Sequence, residues 1–144
     1  MNPASLALVD DDAEFSEYLS QYLRERHVQV TWFVDAESLL ISDGAFSHDF
    51  YVIDLMLPGV DGLSLLRMLR RRTNAGVLVV SGKVGHDVFE QVMRAGADMH
   101  LAKPATFEQV HLAIAGVYRR SGGQAAPSPA WRLDEQASLL IAPD

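Results

Sequence analysis

The chain has 144 residues, 49% hydrophobic and 22% charged, which gives it enough apolar material for one packed domain and sets it apart from disordered chains. It has no cysteine, which excludes a disulfide framework, a thiol nucleophile and thiolate metal ligands, and its net charge of −7 argues against nucleic-acid binding through its own surface, since that needs a basic footprint. No apolar run approaches the ~18 residues of a membrane span, and no basic segment leads into an apolar stretch at the start, so the expectation is a cytoplasmic protein without a membrane partner.

Ser5–Val9 is a short apolar run and reads as a buried strand. Over residues 12–26, Phe15, Leu19, Tyr22 and Leu23 share one helical face. Residues 28–33 are β-branched and aromatic, a second strand, and 35–42 read as a short helix. A third strand over 50–53 ends at Asp54. Residues 57–62 form a loop in which Asp61 is placed to N-cap a helix over 63–71. A fourth strand spans 76–80, and a fourth helix over 84–95 is closed by Gly96. A short fifth strand covers 99–102 and a fifth helix 106–119. The strands do not alternate apolar with polar, which predicts burial on both faces and a parallel sheet. Alternating β and α then predict an open, doubly wound α/β sandwich with its chemistry at the carboxyl ends of the strands.

From Ser121 the composition turns small and proline-punctuated, so residues 121–130 read as a flexible linker. Residues 131–144 form a short tail of net charge −2, which leaves −5 for residues 1–120.

Polar residues follow four of the strands: Asp10-Asp11-Asp12 the first, Asp54 the third, Ser81 the fourth and Lys103 the fifth. An acidic run after a strand is also what a helix N-terminus shows, and that reading suits Asp12. Each of the others alone is equally ordinary. All four sets arrive at one sheet edge, however, and clustered carboxylates need a cation; hard oxygen ligands suit Mg²⁺. A hydroxyl and an ammonium beside such an ion suit a phosphoryl group, and a carboxylate not used by the metal could be the nucleophile.

The strings Leu8-Val9-Asp10-Asp11-Asp12, Asp54-Leu55-Met56-Leu57-Pro58-Gly59-Val60-Asp61-Gly62, Val80-Ser81-Gly82-Lys83, Gly96-Ala97-Asp98 and Lys103-Pro104 together resemble the CheY-like receiver domain of two-component response regulators. The resemblance covers roughly residues 4 to 120 and implies a flavodoxin-like (βα)5 fold in a receiver unit over residues 1–120. It implies that Asp54 is the phosphoacceptor and that Asp10, Asp11, Asp54 and the backbone carbonyl of Met56 hold Mg²⁺. Ser81 and Lys103 would bind the phosphoryl group, His100 would occupy the switch position, and Pro104 would follow a cis peptide. The implied partner is a sensor histidine kinase and the implied role is signalling, not enzymatic turnover of an outside substrate. Residues 131–134 and 139–144 resemble the first strands of the effector domain in OmpR/PhoB-type regulators, so the chain would control transcription through a DNA-binding domain beyond the tail.

Several positions depart from the family's pattern. His100 stands where Tyr or Phe is usual, which leaves open a weak switch, a plain aromatic substitute or one tuned by pH. Ala105 replaces a usual Phe and is expected to loosen the start of the fifth helix. Activated OmpR/PhoB-type receivers pair through helix 4, strand 5 and helix 5, but Gln91, Arg94, Met99, Gln109, Ala113 and Ala115 lack the usual charges. The expectation is an apolar homodimer face made of Met93, Met99, Val110, Ala113 and Val117. His27, His48, His86 and His111 read as surface residues. Met56 and Lys83 flank the site and are expected to crowd an attacking water. A phosphorylation-independent interaction module is the alternative, disfavoured by the full set of site residues. A phosphohydrolase would need a second Asp where Met56 stands.

Overall fold

The computed structural model describes residues 2–83 and 85–120; the expected linker over 121–130 and tail over 131–144 lie outside the described residues. Strands and helices alternate in the order β1 (Ser5–Val9), α1 (Ala13–Arg24), β2 (Gln29–Phe33), α2 (Ala36–Leu40), β3 (Phe50–Ile53), α3 (Gly62–Arg72), β4 (Gly76–Ser81), α4 (His86–Ala95), β5 (Met99–Ala102) and α5 (Phe107–Arg120). The sheet is wholly parallel, with strand order β2-β1-β3-β4-β5. The (βα)5 doubly wound sandwich expected from the sequence is therefore the observed fold.

Alternation along each strand divides the core into two layers. Ala7, Val9, Tyr51, Ile53, Val77 and Val79 face α2, α3 and α4. Leu6, Leu8, Phe50, Val52, Leu78 and Val80 face α1 and α5. Every residue of β3 and β4 is buried, which is why those strands are apolar throughout.

Helix starts follow local chemistry. Asp12, Asp35 and Asp61 each accept a backbone N–H three residues on, capping α1, α2 and α3. α4 begins at Gly85, which offers no side-chain cap, and ends at Gly96 in the left-handed region (φ 114°). Arginines fill the last turns of α1, α3, α4 and α5, where cations favour the helix dipole. Arg70 also ties α3 to the end of α4, donating to the Gly96 carbonyl at 2.6 Å and to Asp98 at 2.9 Å. No helix among the described residues is long and apolar enough to cross a membrane.

Four expectations change. α5 does not start loosely despite Ala105: Thr106 and Gln109 exchange side-chain-to-backbone hydrogen bonds at 2.8 and 3.0 Å, and Phe107 packs between Phe15 and Tyr22. Val110 and Val117 belong to the core against the sheet, at 0% and 2% exposure, so they cannot line an outer apolar face. His48 is not a free surface residue. Its ring meets Phe33 and Tyr51 edge-on, and its Nδ1 is 3.0 Å from Ser5 Oγ. His111 is likewise engaged, with Nε2 3.0 Å from Asn2 Oδ1 and its ring edge-on to Tyr22.

Candidate functional site

β1 and β3 are neighbours, with Val9 opposite Ile53, so Asp10 and Asp54 emerge side by side at the carboxyl edge. The winding reverses here, since β2 lies to one side of β1 while β3, β4 and β5 follow on the other. Such a reversal opens a crevice between the flanking loops. On the far side, Ser81 ends β4 opposite Ala102 of β5, and the Lys103 N–H donates to the Ser81 carbonyl at 2.9 Å. The sequence-predicted residues Asp10, Asp11, Asp54, Ser81 and Lys103 thus converge on one edge. The Lys103-Pro104 peptide is cis, as expected.

Asp10 is 2% exposed and Asp54 6%. Asp10 Oδ1 accepts the Asp12 N–H at 2.9 Å, and its Oδ2 accepts Lys103 Nζ at 2.8 Å. The same ammonium lies 3.5 Å from Asp54 Oδ2, while Asp54 Oδ1 accepts the Met56 N–H at 3.1 Å. Asp11 is exposed, and carboxylate oxygens of Asp10, Asp11 and Asp54 lie within 4.8 Å of one another. Three carboxylates against one ammonium leave the pocket negative, and every donor is a hard oxygen. The set fits Mg²⁺ or a similar cation, which keeps several waters beside a few carboxylates.

The electrostatics reflect crowding. Burial pushes the Asp10 carboxyl up; the Lys103 and Asp12 hydrogen bonds oppose that, while the charge of Asp54 adds to it. Burial alone would lower the Lys103 ammonium, but its hydrogen bond to Asp10 and the charges of Asp10, Asp54 and Asp12 prevail and raise it. Lys103 therefore stays charged. Its Nζ also lies 4.5 Å from the centre of the Phe15 ring, a cation–π contact that braces the ammonium.

Ser81 is fully buried, and its Oγ accepts the Lys83 N–H at 3.2 Å. Met56 is 61% exposed at the rim. His100 lies on β5 opposite Val79 and is partly buried. Its ring stacks on Phe89 of α4 at 6.3 Å between centroids, its Nε2 is buried without a hydrogen-bond partner, and burial lowers its pKa. That environment disfavours the charged form of the imidazole.

Sequence reasoning missed two contributors. Phe15 reads from sequence as part of a core face, and only the fold brings it under Lys103. Trp32 reads from sequence only as a strand residue, yet its Nε1 donates to the Asp10 carbonyl at 2.8 Å. No local pattern marks either contact, because each joins elements far apart in the chain.

The model of the response regulator receiver domain family matches residues 6–115. The two-component response regulator PhoP of Pseudomonas aeruginosa is 34% identical over 119 residues, covering 82% of this chain and 53% of that protein. The chain spans about half the length of most of the curated relatives it matches. Among solved structures, the Francisella response regulator 1452 receiver domain has a TM-score of 0.76 at 26% identity, covering 83% of this chain and 99% of that one. A Burkholderia pseudomallei response regulator, solved with a phosphorylated aspartic acid, calcium ion and citrate, has a TM-score of 0.72 at 29% identity, covering 83% of this chain and 70% of that one.

Proposed function

Because the chain belongs to the response regulator receiver domain family, we propose that it accepts a phosphoryl group on Asp54 from a sensor histidine kinase. The observation that carries this reading is the grouping of Asp10, Asp11 and Asp54 within 4.8 Å, with Lys103 Nζ 3.5 Å from Asp54 Oδ2. The Burkholderia relative, with its phosphorylated aspartic acid and calcium ion, supports the same reading.

A carboxylate oxygen of Asp54 attacks phosphorus in line; the P–N bond of the donor phosphohistidine breaks as the O–P bond of an acyl phosphate forms. Asp10, Asp11, Asp54 and the Met56 backbone carbonyl would hold Mg²⁺, which when bound neutralises charge on the phosphoryl oxygens. The Met56 N–H holds Asp54 Oδ1 and fixes the plane of the carboxylate. Lys103 changes partner from carboxylate to phosphoryl oxygen, and the Ser81 hydroxyl donates to another. Movement of Ser81 frees space beside His100, so the phosphorylated state biases the α4–β5 corner toward a second arrangement.

Downstream, we propose transcription control through a DNA-binding part beyond the linker and tail, since relatives such as the transcriptional activator protein PfeR carry that role in their names. A homodimer would use α4, β5 and α5, with Phe89 and Leu112 as its exposed apolar groups in place of the buried Val110 and Val117.

Intact mass after incubation with Mg²⁺ and acetyl phosphate tests the central step. One added phosphoryl group, absent without a divalent cation and absent in Asp54→Ala, is the expected result. Modification that survives the substitution would place the acceptor elsewhere. With Met56 and Lys83 at the rim, the acyl phosphate should last minutes or longer; complete decay within seconds in a quench assay would contradict that crowding.

A further inference from the structure

We infer that Trp32 is a positioning residue for the cation site, holding the Asp10–Asp11 peptide through its indole N–H; the inference rests on the reading of Asp10, Asp11 and Asp54 as cation ligands. β2 is the edge strand next to β1 and ends at Phe33. Its ladder with β1 runs one bond past the paired residues, from the Asp10 N–H to the Phe33 carbonyl at 3.1 Å. Beyond that point β2 has ended, and the Asp10 carbonyl has no strand residue beside it.

A buried carbonyl needs a donor. Trp32 lies two residues from Val30 and on the same side of β2, opposite Leu8. From there its Nε1 donates to the Asp10 carbonyl at 2.8 Å, a short and well-placed bond. Ser16 Oγ on α1 is the other donor, at the limiting distance of 3.5 Å. The indole thus stands in for the missing ladder bond.

The consequence falls on Asp11. Both carboxylate oxygens of Asp10 are already held, by the Asp12 N–H and by Lys103. The Asp11 carboxylate is exposed, and its place depends on the peptide plane before it. Fixing the Asp10 carbonyl fixes that plane. Without the indole bond the peptide can rotate, and Asp11 must be ordered at the moment a cation binds. Trp32 touches neither cation nor phosphoryl group; it acts through the backbone of the acid pair.

The test is a Mg²⁺ titration of the ¹⁵N-labelled 144-residue chain, followed at the tryptophan indole N–H signals. Trp131→Phe identifies the Trp32 signal. That signal should move along the same saturation curve as Mg²⁺ binding measured by calorimetry. Trp32→Phe keeps an aromatic ring and removes the donor, and it should weaken Mg²⁺ binding roughly two- to tenfold, the worth of one hydrogen bond. Val30→Ala is the structural control: it removes buried volume from the same strand and should lower stability while leaving Mg²⁺ affinity within about twofold. An indole signal that ignores Mg²⁺ would overturn the inference. So would Trp32→Phe binding Mg²⁺ as tightly as the unaltered chain, or Val30→Ala weakening it as much. If the unaltered chain binds no Mg²⁺, the cation-site reading itself fails and this inference fails with it, an outcome distinct from the others.

Discussion

Helices α1 and α4 both flank the acidic edge, yet they are held very differently. α1 is capped by Asp12 and buries Ser16, Leu19, Ser20 and Leu23; its Phe15 braces Lys103 and meets Phe107, which in turn meets Tyr22. α4 starts on Gly85 without a side-chain cap and buries only Val92, and β5 beside it has no buried residue. Phe89 of α4 is half exposed, and its stacking partner His100 is only partly buried. Cooperative units with few buried contacts open at lower free energy. The site therefore sits between a braced half and a half that can be rearranged at small cost, which is what a phosphoryl-driven population shift needs.

Truncating one side chain on each helix should expose the difference between α1 and α4. Leu19→Ala removes a fully buried side chain and should cost about 2–5 kcal/mol in denaturant unfolding. Phe89→Ala should cost less than about 1 kcal/mol, because half of that ring already meets solvent. Equal losses would mean that α4 is as firmly held as α1.

A second test contrasts the acidic edge with the core beneath it. Val9 and Ile53 are buried apolar residues, and one residue further on Asp10 and Asp54 are buried acids. Burial raises the Asp10 pKa, so its ionised form works against the fold. Asp10→Asn should therefore raise stability without metal, while weakening Mg²⁺ binding at least roughly tenfold. Thermal melts with and without Mg²⁺ should order the two proteins oppositely. A variant less stable in both conditions would show that the Lys103 pair outweighs the burial of the acid.

Stability should respond to pH more weakly still. Burial lowers the pKa of His48, His100 and His111 below 6.5, with the Arg26 charge adding to the effect at His111. Their contribution is fully present above pH 6.5 and is lost as pH falls through the folded-state values. Asp10 has the opposite sign, because its raised pKa favours the fold as pH falls toward 3.8. The histidines should thus make stability decline as pH falls below 6.5, with Asp10 acting in the opposite direction. His100→Phe should reduce the decline; stability flat from pH 7 to 5 would show that these rings meet more water than their packing implies.

The elements were legible because their signals are local. The caps at Asp12, Asp61 and Gly96, and the apolar strands, each lie within a few residues of what they organise. The acids, Ser81 and Lys103 were legible because a parallel sheet sends every strand end to one edge. Val110, Ile114, Val117 and Tyr118 also follow helical spacing, so the core role of Val110 and Val117 was readable from period alone. Trp32 at the Asp10 carbonyl and Phe15 beneath Lys103 were not readable, because contacts across 22 and 88 positions are set by packing and not by neighbours in the chain. His48 hid for the same reason: it lies in the loop before β3, and its partner Ser5 is on β1, 43 positions away.

A phosphoryl group at Asp54 should act on the loosely held half of the molecule. Backbone amide hydrogen exchange, compared before and after phosphorylation of the 144-residue chain, reads that response residue by residue. Exchange should change at the site and through α4 and β5, with the α1 core around Leu19 and Leu23 unchanged and no response in Asp54→Ala. Changes spread through α1 with α4 and β5 left as they were would contradict it.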